Sequence, residues 1–248
     1  MNAETVLARL YETRFGSAPA KVEKLAGAGS NRSYYRLTGQ GAGKDVTVIG
    51  TTGTDLAENK AFIALSRHLS GKGLPVPEVF AVSDDGMAYL QEDLGDVSLF
   101  DAIASGRDSG SFSDHEEALV ESVIRLLPAI QFRGAEGMDY SCCYPYPELD
   151  SRTISGDLNY FKYDFLKPSG IEFSEKLLDD ELELLHNKIL YFCRRNVGFM
   201  VRDFQSCNVM LSGDTPCLID FQGGRRGPAA YDVVSFLWQA KANFPESL

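Results

Sequence analysis

The sequence predicts an α+β protein of two lobes, a small strand-rich lobe over residues 1–92 and a mainly helical lobe over residues 93–248. Three observations lead to this prediction. Short β-prone runs surround a single helical stretch between residues 22 and 91. After residue 92 the apolar residues recur at the spacing of helices instead of alternating. Residues 92–96 carry acidic residues and a glycine between the two patterns, so we expect them to form a hinge.

The predicted elements of the first lobe are short strands and two helices. The chain opens with an amphipathic helix whose apolar side chains share one face. A second helix is predicted over residues 55–70, because its apolar residues recur at helical spacing and Gly71 stands at its end. Asp55 and Glu58 form a capping-box pair at its start. Strands are predicted over residues 33–38, 45–50, 79–83 and 87–91.

Long helices are predicted in the second lobe over residues 116–131, 180–196 and 231–242. The last of them carries apolar residues on more than one face, which is typical of helices that are buried on several sides. Little sequence follows this helix, so we expect the helical lobe to be incomplete. An uncovered helix of this kind would expose apolar surface, and we expect the chain to self-associate through it.

Composition restricts the partners and the compartment. The 248 residues are 44% hydrophobic and carry a formal charge of 24 − 35 = −11, which argues against nucleic acid or an anionic membrane as a partner. The five cysteines include no C-x-x-C pair, which favours a reducing cytosol and no structural zinc. The N-terminus does not resemble a signal peptide, and no apolar run reaches membrane-spanning length. We therefore expect a cytoplasmic protein.

The most informative motif lies in residues 201–208 and 218–221. Asp203 is followed five residues later by Asn208, and Asp220 comes after a short apolar run. A carboxylate at Asp203 would orient or deprotonate an attacking hydroxyl, while oxygens of Asn208 and Asp220 would suit Mg²⁺. Two short strands around the turn at residues 212–216 would bring Asn208 and Asp220 to the same end of a ribbon. The alternative is three unrelated surface and turn residues; the combination favours phosphoryl transfer.

This region resembles the catalytic core of the aminoglycoside phosphotransferase and choline kinase family, whose fold is protein-kinase-like. The family pattern is H-x-D-x-x-x-x-N followed by a D-F-G-like Asp. Residues 219–224 and 227–235 are more similar to its bacterial sugar kinase branch, which acts on N-acetylmuramate and N-acetylglucosamine. The resemblance implies ATP, Mg²⁺ and a small-molecule acceptor that is a sugar or amino sugar. Two alternatives stay open: a kinase for a cationic acceptor such as an aminoglycoside or choline, and a nucleotide-binding pseudokinase.

The sequence departs from the family pattern in two places. Val201 stands where the motif has His, and a His there would strengthen the loop if the surrounding polar groups lack partners. The third strand has no Lys at the expected position, since Lys44 comes too early, although the sugar kinase branch often lacks that Lys. Arg32 and Arg36 are the candidates to replace its charge. Both departures favour the pseudokinase alternative.

The resemblance also suggests which residues hold the nucleotide. Gly27, Gly29 and Ser30 form a loop whose backbone N–H groups would cover the phosphates, although two glycines in a hairpin often mark only a turn. Glu58 is the helix glutamate that a strand cation would pair with, and its capping-box position is the alternative explanation. Gln91 and Asp93 lie at the hinge, where backbone groups would meet the adenine edge.

Candidate acceptor residues follow from chemistry that suits sugars. Asp157 and Asn159 would bind hydroxyl groups beside aromatic residues; the alternative is an amphipathic helix with Tyr160, Phe161 and Phe165 in the core. Arg225 and Arg226 would meet a phosphate or a sugar carboxylate, or else they are solvated loop residues. Asp232 is expected to anchor the catalytic loop through hydrogen bonds. The isolated residues His68, His115 and His186 are interpreted as structural.

Overall fold

The computed structural model describes residues 2–26 and 31–245, so Gly27, Gly29 and Ser30 of the predicted phosphate loop lie outside the described residues. It confirms the α+β prediction with an antiparallel sheet followed by a helical region. The first region consists of α1 (Ala3–Phe15), β1 (Lys21–Lys24), β2 (Ser33–Gly41), β3 (Lys44–Thr52), α2 (Leu56–Gly71), β4 (Val79–Val82) and β5 (Ala88–Glu92).

The five strands form one sheet in the order β1-β2-β3-β5-β4, and a helix packs on each of its faces. On one face, Leu7 and Tyr11 of α1 are fully buried against Leu37, Val48 and Leu90. Side chains on the opposite face of the sheet contact α2 and join the main apolar cluster of the molecule. Because strand residues alternate between faces, Thr51 of β3 and the β5 residues Tyr89 and Gln91 point to the α2 side.

The second region is mainly helical and contains two short antiparallel ribbons. Its elements are α3 (Leu99–Ala102), α4 (Ala104–Ser109), α5 (Asp114–Pro128), a π-helical turn at Ala129–Arg133, α6 (Ser151–Tyr160), a second π-helical turn at Phe161–Leu166, α7 (Glu175–Phe192), β6 (Val197–Met200), β7 (Val209–Ser212), β8 (Thr215–Leu218), β9 (Arg225–Pro228) and α8 (Ala230–Leu237). β6 pairs with β9, and β7 pairs with β8. The predicted last helix therefore ends at Leu237 rather than at residue 242. Among the described residues, no helix combines the length and apolar character needed to cross a bilayer.

The helix α2 is attached to the helical region near both of its ends. At its N-terminus the Asp55 side chain accepts hydrogen bonds from Ala57 N at 2.8 Å and Glu58 N at 3.1 Å, and Tyr144 Oη donates to the other oxygen of Asp55 at 2.7 Å. In its last turn, His68 Nε2 lies 2.8 Å from the carbonyl oxygen of Gly134. The helix is thus held from outside the sheet at two points.

The expectation that Tyr160, Phe161 and Phe165 lie in the core is wrong. Their exposed fractions are 70%, 42% and 61%, and the rings of Phe161 and Phe165 stack with centroids 5.6 Å apart. The buried side of α6 is carried instead by Thr153 and Ile154. In the following turn it is Lys162 that faces inward, because its ammonium group pairs with carboxylates of α7.

Candidate active site

The loop that carries Asp203 is fixed by one buried carboxylate. Asp232 of α8 is fully buried and accepts hydrogen bonds from Val201 N at 3.0 Å, from Arg202 N at 2.9 Å and from Gln131 Nε2 at 2.7 Å. Burial raises the pKa of Asp232 to about 6, and these hydrogen bonds oppose the rise because they favour the charged form. The expected anchoring role of Asp232 is confirmed.

Val201 is fully buried in the main apolar cluster. Its backbone N–H is taken by Asp232, so the loop is anchored without any contribution from the side chain at position 201. A His at this position would stabilise the loop only if polar groups without partners surrounded it. The structure instead surrounds Val201 with the apolar side chains of the main cluster. An imidazole placed there would enter an apolar environment.

Asp203 follows the anchored segment and lies at the surface of the loop. Its Oδ2 atom is 3.3 Å from the position that a Cβ on Gly223 would occupy, so the glycine forms a close wall beside the carboxylate. Desolvation by neighbouring atoms raises the pKa of Asp203, and the Asp220 charge adds to this rise. The positive charges of Arg202 and Arg225 act in the opposite direction. Because the residue is exposed, water moderates all of these effects.

Asn208 and Asp220 lie at the same end of the β7–β8 ribbon, as the strand–turn–strand pattern predicts. Val209 pairs with Leu218, and Ile219 N donates to Asn208 O at 2.9 Å just beyond that pair. The Asn208 amide Nδ2 donates to the backbone oxygen of Asp203 at 2.9 Å. This bond connects the loop to the ribbon. It leaves the Oδ1 atom of Asn208 as the amide atom that can bind a cation. The Cys207 Sγ lies 3.6 Å from this oxygen.

These two side chains fit a magnesium ion that nucleotide phosphates would help to bind. Both offer hard oxygen ligands, which Mg²⁺ prefers, and they stand beside one another at the ribbon end. Within residues 2–26 and 31–245, no group of three or more His, Cys, Asp or Glu residues could hold a metal by itself. A cation at Asn208 and Asp220 would therefore need further oxygens from a ligand or water.

Two of the four candidate acceptor residues lie next to the catalytic loop. Asp157 Oδ1 is 2.9 Å from Nη2 of Arg202, the residue that directly precedes Asp203 in the chain. Arg225 begins β9 opposite Met200 and is 98% buried, with Nε donating to Gly223 O at 3.1 Å. Its buried Nη2 has no hydrogen-bond partner in the described part of the chain.

The other two candidate acceptor residues are more peripheral. Arg226 is exposed, and its Nη1 lies 3.8 Å from a carboxylate oxygen of Glu148. Asn159 is exposed on α6. The structure therefore brings Asp157 and Arg225 to Asp203 and leaves Asn159 and Arg226 at the surface.

On the sheet side, Arg32 forms an ion pair with the helix glutamate Glu58. The register pairs Ser33 with Thr52, so Arg32 stands beside the end of β3. Its Nη2 lies 3.2 Å from Glu58 Oε1 on α2, and its side chain is 98% buried. Glu58 thus contributes both to helix capping through its backbone and to an ion pair through its carboxylate.

Aromatic rings connect this ion pair to the ribbon end. The Arg32 guanidinium lies 5.6 Å from the ring centroid of Phe62. Phe62 in turn stacks on Tyr89 at 5.2 Å and on Phe221 at 5.0 Å. Because Phe221 follows Asp220 directly, α2 and the metal-site candidate belong to one packed unit. The sequence shows each aromatic residue but gives no signal that these three meet.

Of the two hinge candidates, Asp93 forms an ion pair with Arg36. Arg36 Nε lies 2.6 Å from Asp93 Oδ2, and its Nη2 lies 3.1 Å from Asp93 Oδ1 and 2.7 Å from Asp96 Oδ1. Arg36 is therefore committed to the hinge, which leaves Arg32 as the replacement for the strand lysine. Gln91 is 91% buried, and its Nε2 lies 3.5 Å from Thr51 Oγ1.

Comparison with known proteins gives one family and consistent relatives. The sequence model of the phosphotransferase enzyme family matches residues 21–248. An N-acetylmuramate/N-acetylglucosamine kinase of Pseudomonas aeruginosa is 24% identical over 229 residues, covering 92% of this chain and 62% of the relative. The protein of that name from Pseudomonas putida is 25% identical over 249 residues, covering 95% and 65%. The chain thus spans less than two thirds of the length of either relative.

Solved structures show the same fold at low sequence identity. The aminoglycoside phosphotransferase APH(4)-Ia, in a ternary complex with ADP and hygromycin B, aligns with a TM-score of 0.59 at 15% identity, covering 95% of this chain and 79% of that one. A choline/ethanolamine kinase family protein from Mesorhizobium loti aligns with a TM-score of 0.58 at 12% identity, covering 98% and 74%. The protein-kinase-like fold predicted from the motifs is confirmed.

Proposed function

Because the chain belongs to the phosphotransferase enzyme family, we propose that it transfers the γ-phosphoryl group of ATP to a hydroxyl of a small sugar or amino sugar. The observation that carries this proposal is the connected frame of Asp203, Asn208 and Asp220. One hydrogen bond joins Asn208 to Asp203, and another joins Asn208 to the residue before Asp220. A nucleophile and a metal-bound phosphate placed on this frame would meet.

The residues take separate roles in this proposal. Asp203 orients the acceptor hydroxyl or accepts its proton, and Asn208 and Asp220 hold Mg²⁺. When bound, the ion neutralises phosphate charge and fixes the transferred group. Arg32, paired with Glu58, supplies positive charge on the phosphate side, where Gly27, Gly29 and Ser30 would add backbone donors.

The hinge and the acceptor side complete the proposed site. Backbone groups of residues 91–93 face the adenine edge, and the Asp93 carboxylate holds that segment through Arg36. For the acceptor, the names of the curated relatives point to amino sugars. Asp157 and Arg225, which lie near Asp203, are the candidate contacts to its hydroxyl or acidic groups, and Asn159 and Arg226 are more peripheral candidates.

Two alternatives remain to be separated from this proposal. The charges around Asp203 do not decide against a cationic acceptor such as choline, because the positive charges of Arg202 and Arg225 stand beside the carboxylates of Asp157 and Asp220. A pseudokinase was favoured by Val201 and by the missing strand lysine. The loop is anchored through Asp232 without the motif His, and Arg32 forms an ion pair with Glu58. Both contacts support the active kinase over the pseudokinase.

A screen of acceptor-dependent ATP consumption tests the proposal. The acceptors are N-acetylglucosamine, N-acetylmuramate, glucose, choline and an aminoglycoside, and Asp203→Asn protein serves as the matched control. We expect Mg²⁺-dependent consumption with an amino sugar and its loss in the variant. Consumption that does not depend on any acceptor, or that depends only on choline or the aminoglycoside, would reject the sugar kinase function.

A further inference from the structure

Gln222 contacts the carboxylate of the proposed metal ligand Asp220. Its Nε2 atom donates to Asp220 Oδ1 at 2.7 Å. Asp220 has a backbone φ of +59°, a left-handed conformation that is uncommon for residues other than glycine. The chain therefore turns sharply at Asp220, and this turn allows a side chain only two residues later to reach back to the carboxylate.

The chemistry of the contact fixes the orientation of the Gln222 amide. With the amide reversed, its oxygen would face the carboxylate oxygen, and two acceptors would repel one another. The Nε2 group must therefore face Asp220, which directs Oε1 the other way. That oxygen is buried and has no hydrogen-bond partner within the described parts of the chain. A buried acceptor without a donor is costly, so the bond from Nε2 to the Asp220 carboxylate must outweigh that cost, as hydrogen bonds to carboxylates can.

We propose that Gln222 is a positioning residue for the metal site, an inference that rests on the proposed function. Its amide nitrogen holds Asp220 Oδ1, so that Oδ2 is the oxygen presented to the cation. Its amide oxygen is buried and out of reach of water, so the amide acts on the site through its nitrogen. Outer partners of this kind typically change metal affinity by about 10- to 100-fold when they are removed.

The experiment measures Mn²⁺ binding in the presence of ADP by electron paramagnetic resonance. Gln222→Met keeps the length of the side chain and removes both polar groups. The matched control is Gln40→Met, because Gln40 donates its amide to the Asp45 carboxylate on the β2–β3 hairpin, remote from the site. We expect Mn²⁺ affinity to fall by at least about 10-fold in the first variant and to stay unchanged in the control.

The outcomes separate this inference from the proposed function. Unchanged Mn²⁺ affinity in Gln222→Met would overturn the role of Gln222, while the function would stand. Absence of Mn²⁺ binding in the unmodified protein with ADP would overturn the metal site itself, and with it both proposals. ADP affinity without metal reports whether the variant is folded. If Gln222→Met is not folded, Gln222→Asn replaces it, since the shorter amide cannot reach Asp220, and the same loss is expected.

Discussion

The catalytic loop and the α6–α7 region differ in how their side chains are used. In the loop, Asp232 accepts hydrogen bonds from two backbone N–H groups, Asn208 donates to the Asp203 backbone oxygen, and Gln131 supports Asp232 from the side. In the α6–α7 region, α7 has no buried residue along its 18 positions, and the turn that follows α6 exposes several aromatic rings. Polar bonds thus determine geometry where chemistry is proposed, whereas the outer helices expose apolar side chains.

Replacing Asp232 should lower the stability of the protein more than any other substitution in the loop. Asp232→Ala leaves the backbone N–H groups of Val201 and Arg202 without an acceptor, while the Gln131 amide keeps its second acceptor, the Ala229 backbone oxygen. Each orphaned group costs about 1–3 kcal/mol, so we expect the free energy of unfolding to fall by at least about 2 kcal/mol. Chemical denaturation measures this. A change below about 1 kcal/mol would mean that the loop does not depend on this carboxylate.

Asp203→Asn should affect chemistry while leaving the frame intact. Asparagine has nearly the same shape but cannot accept a proton, so turnover should fall by about 10²-fold or more. ATP affinity should be nearly retained, because the proposal places Asp203 at the acceptor and not at the nucleotide. Steady-state kinetics and nucleotide titration provide the two measurements. A parallel loss of both quantities would place Asp203 on the nucleotide side instead.

The buried Asp232 also gives a pH dependence with a definite sign. Its pKa in the folded protein, about 6, lies above its ordinary value of 3.8, so the folded state holds the proton more tightly than the unfolded state. Its contribution to stability is complete below the ordinary pKa and is lost as pH rises through about 6. The Tm difference between the unmodified protein and Asp232→Asn should therefore shrink between pH 5 and pH 7. A difference that grows over this range would give the opposite sign.

Val201→His tests whether the loop has adapted to an apolar residue. The larger polar ring enters a packed core, where overpacking typically costs about 1–3 kcal/mol. We expect lower stability and no gain in turnover. Val201→Leu is a control for size without polarity. If His raised both stability and activity, an unpaired polar group near this position would have to exist after all.

The smallest effect on stability is expected for a substitution on the exposed surface of the outer helices. Phe192 of α7 and the residues Val234 and Trp238 line an apolar groove of about 530 Å³, and Trp238 is 75% exposed. We propose that a second copy of the chain covers this groove, since burial of such rings is favourable. Trp238→Ser should change the unfolding free energy by less than about 0.5 kcal/mol. Sedimentation velocity should show association that this variant weakens. A monodisperse monomer before mutation would contradict the proposal.

Sequence reasoning predicted the parts of the site that lie close together in the chain. Asp203, Asn208 and Asp220 fall within one loop and one ribbon, where short-range spacing determines geometry. Asp232 was also predicted, because the resemblance includes its position. Gln131 could not be predicted, since it reaches Asp232 from 101 residues away.

Burial was harder to predict than secondary structure. The helical spacing around Tyr160, Phe161 and Phe165 identifies an aromatic face correctly. Spacing does not determine whether another element covers that face, because coverage depends on tertiary arrangement. Arg32 was one of two candidates for the missing cation, and only the commitment of Arg36 to the hinge distinguishes them.

The attachment of α2 at both ends has a consequence for control of the protein. A helix that swings outward can switch a kinase off by separating its glutamate from the partner cation. Here Tyr144 holds the Asp55 cap, and His68 contacts Gly134 in the last turn. Displacing α2 would therefore break both of these contacts in addition to the Arg32–Glu58 ion pair. Each contact adds to the free-energy cost of moving Glu58 away from Arg32.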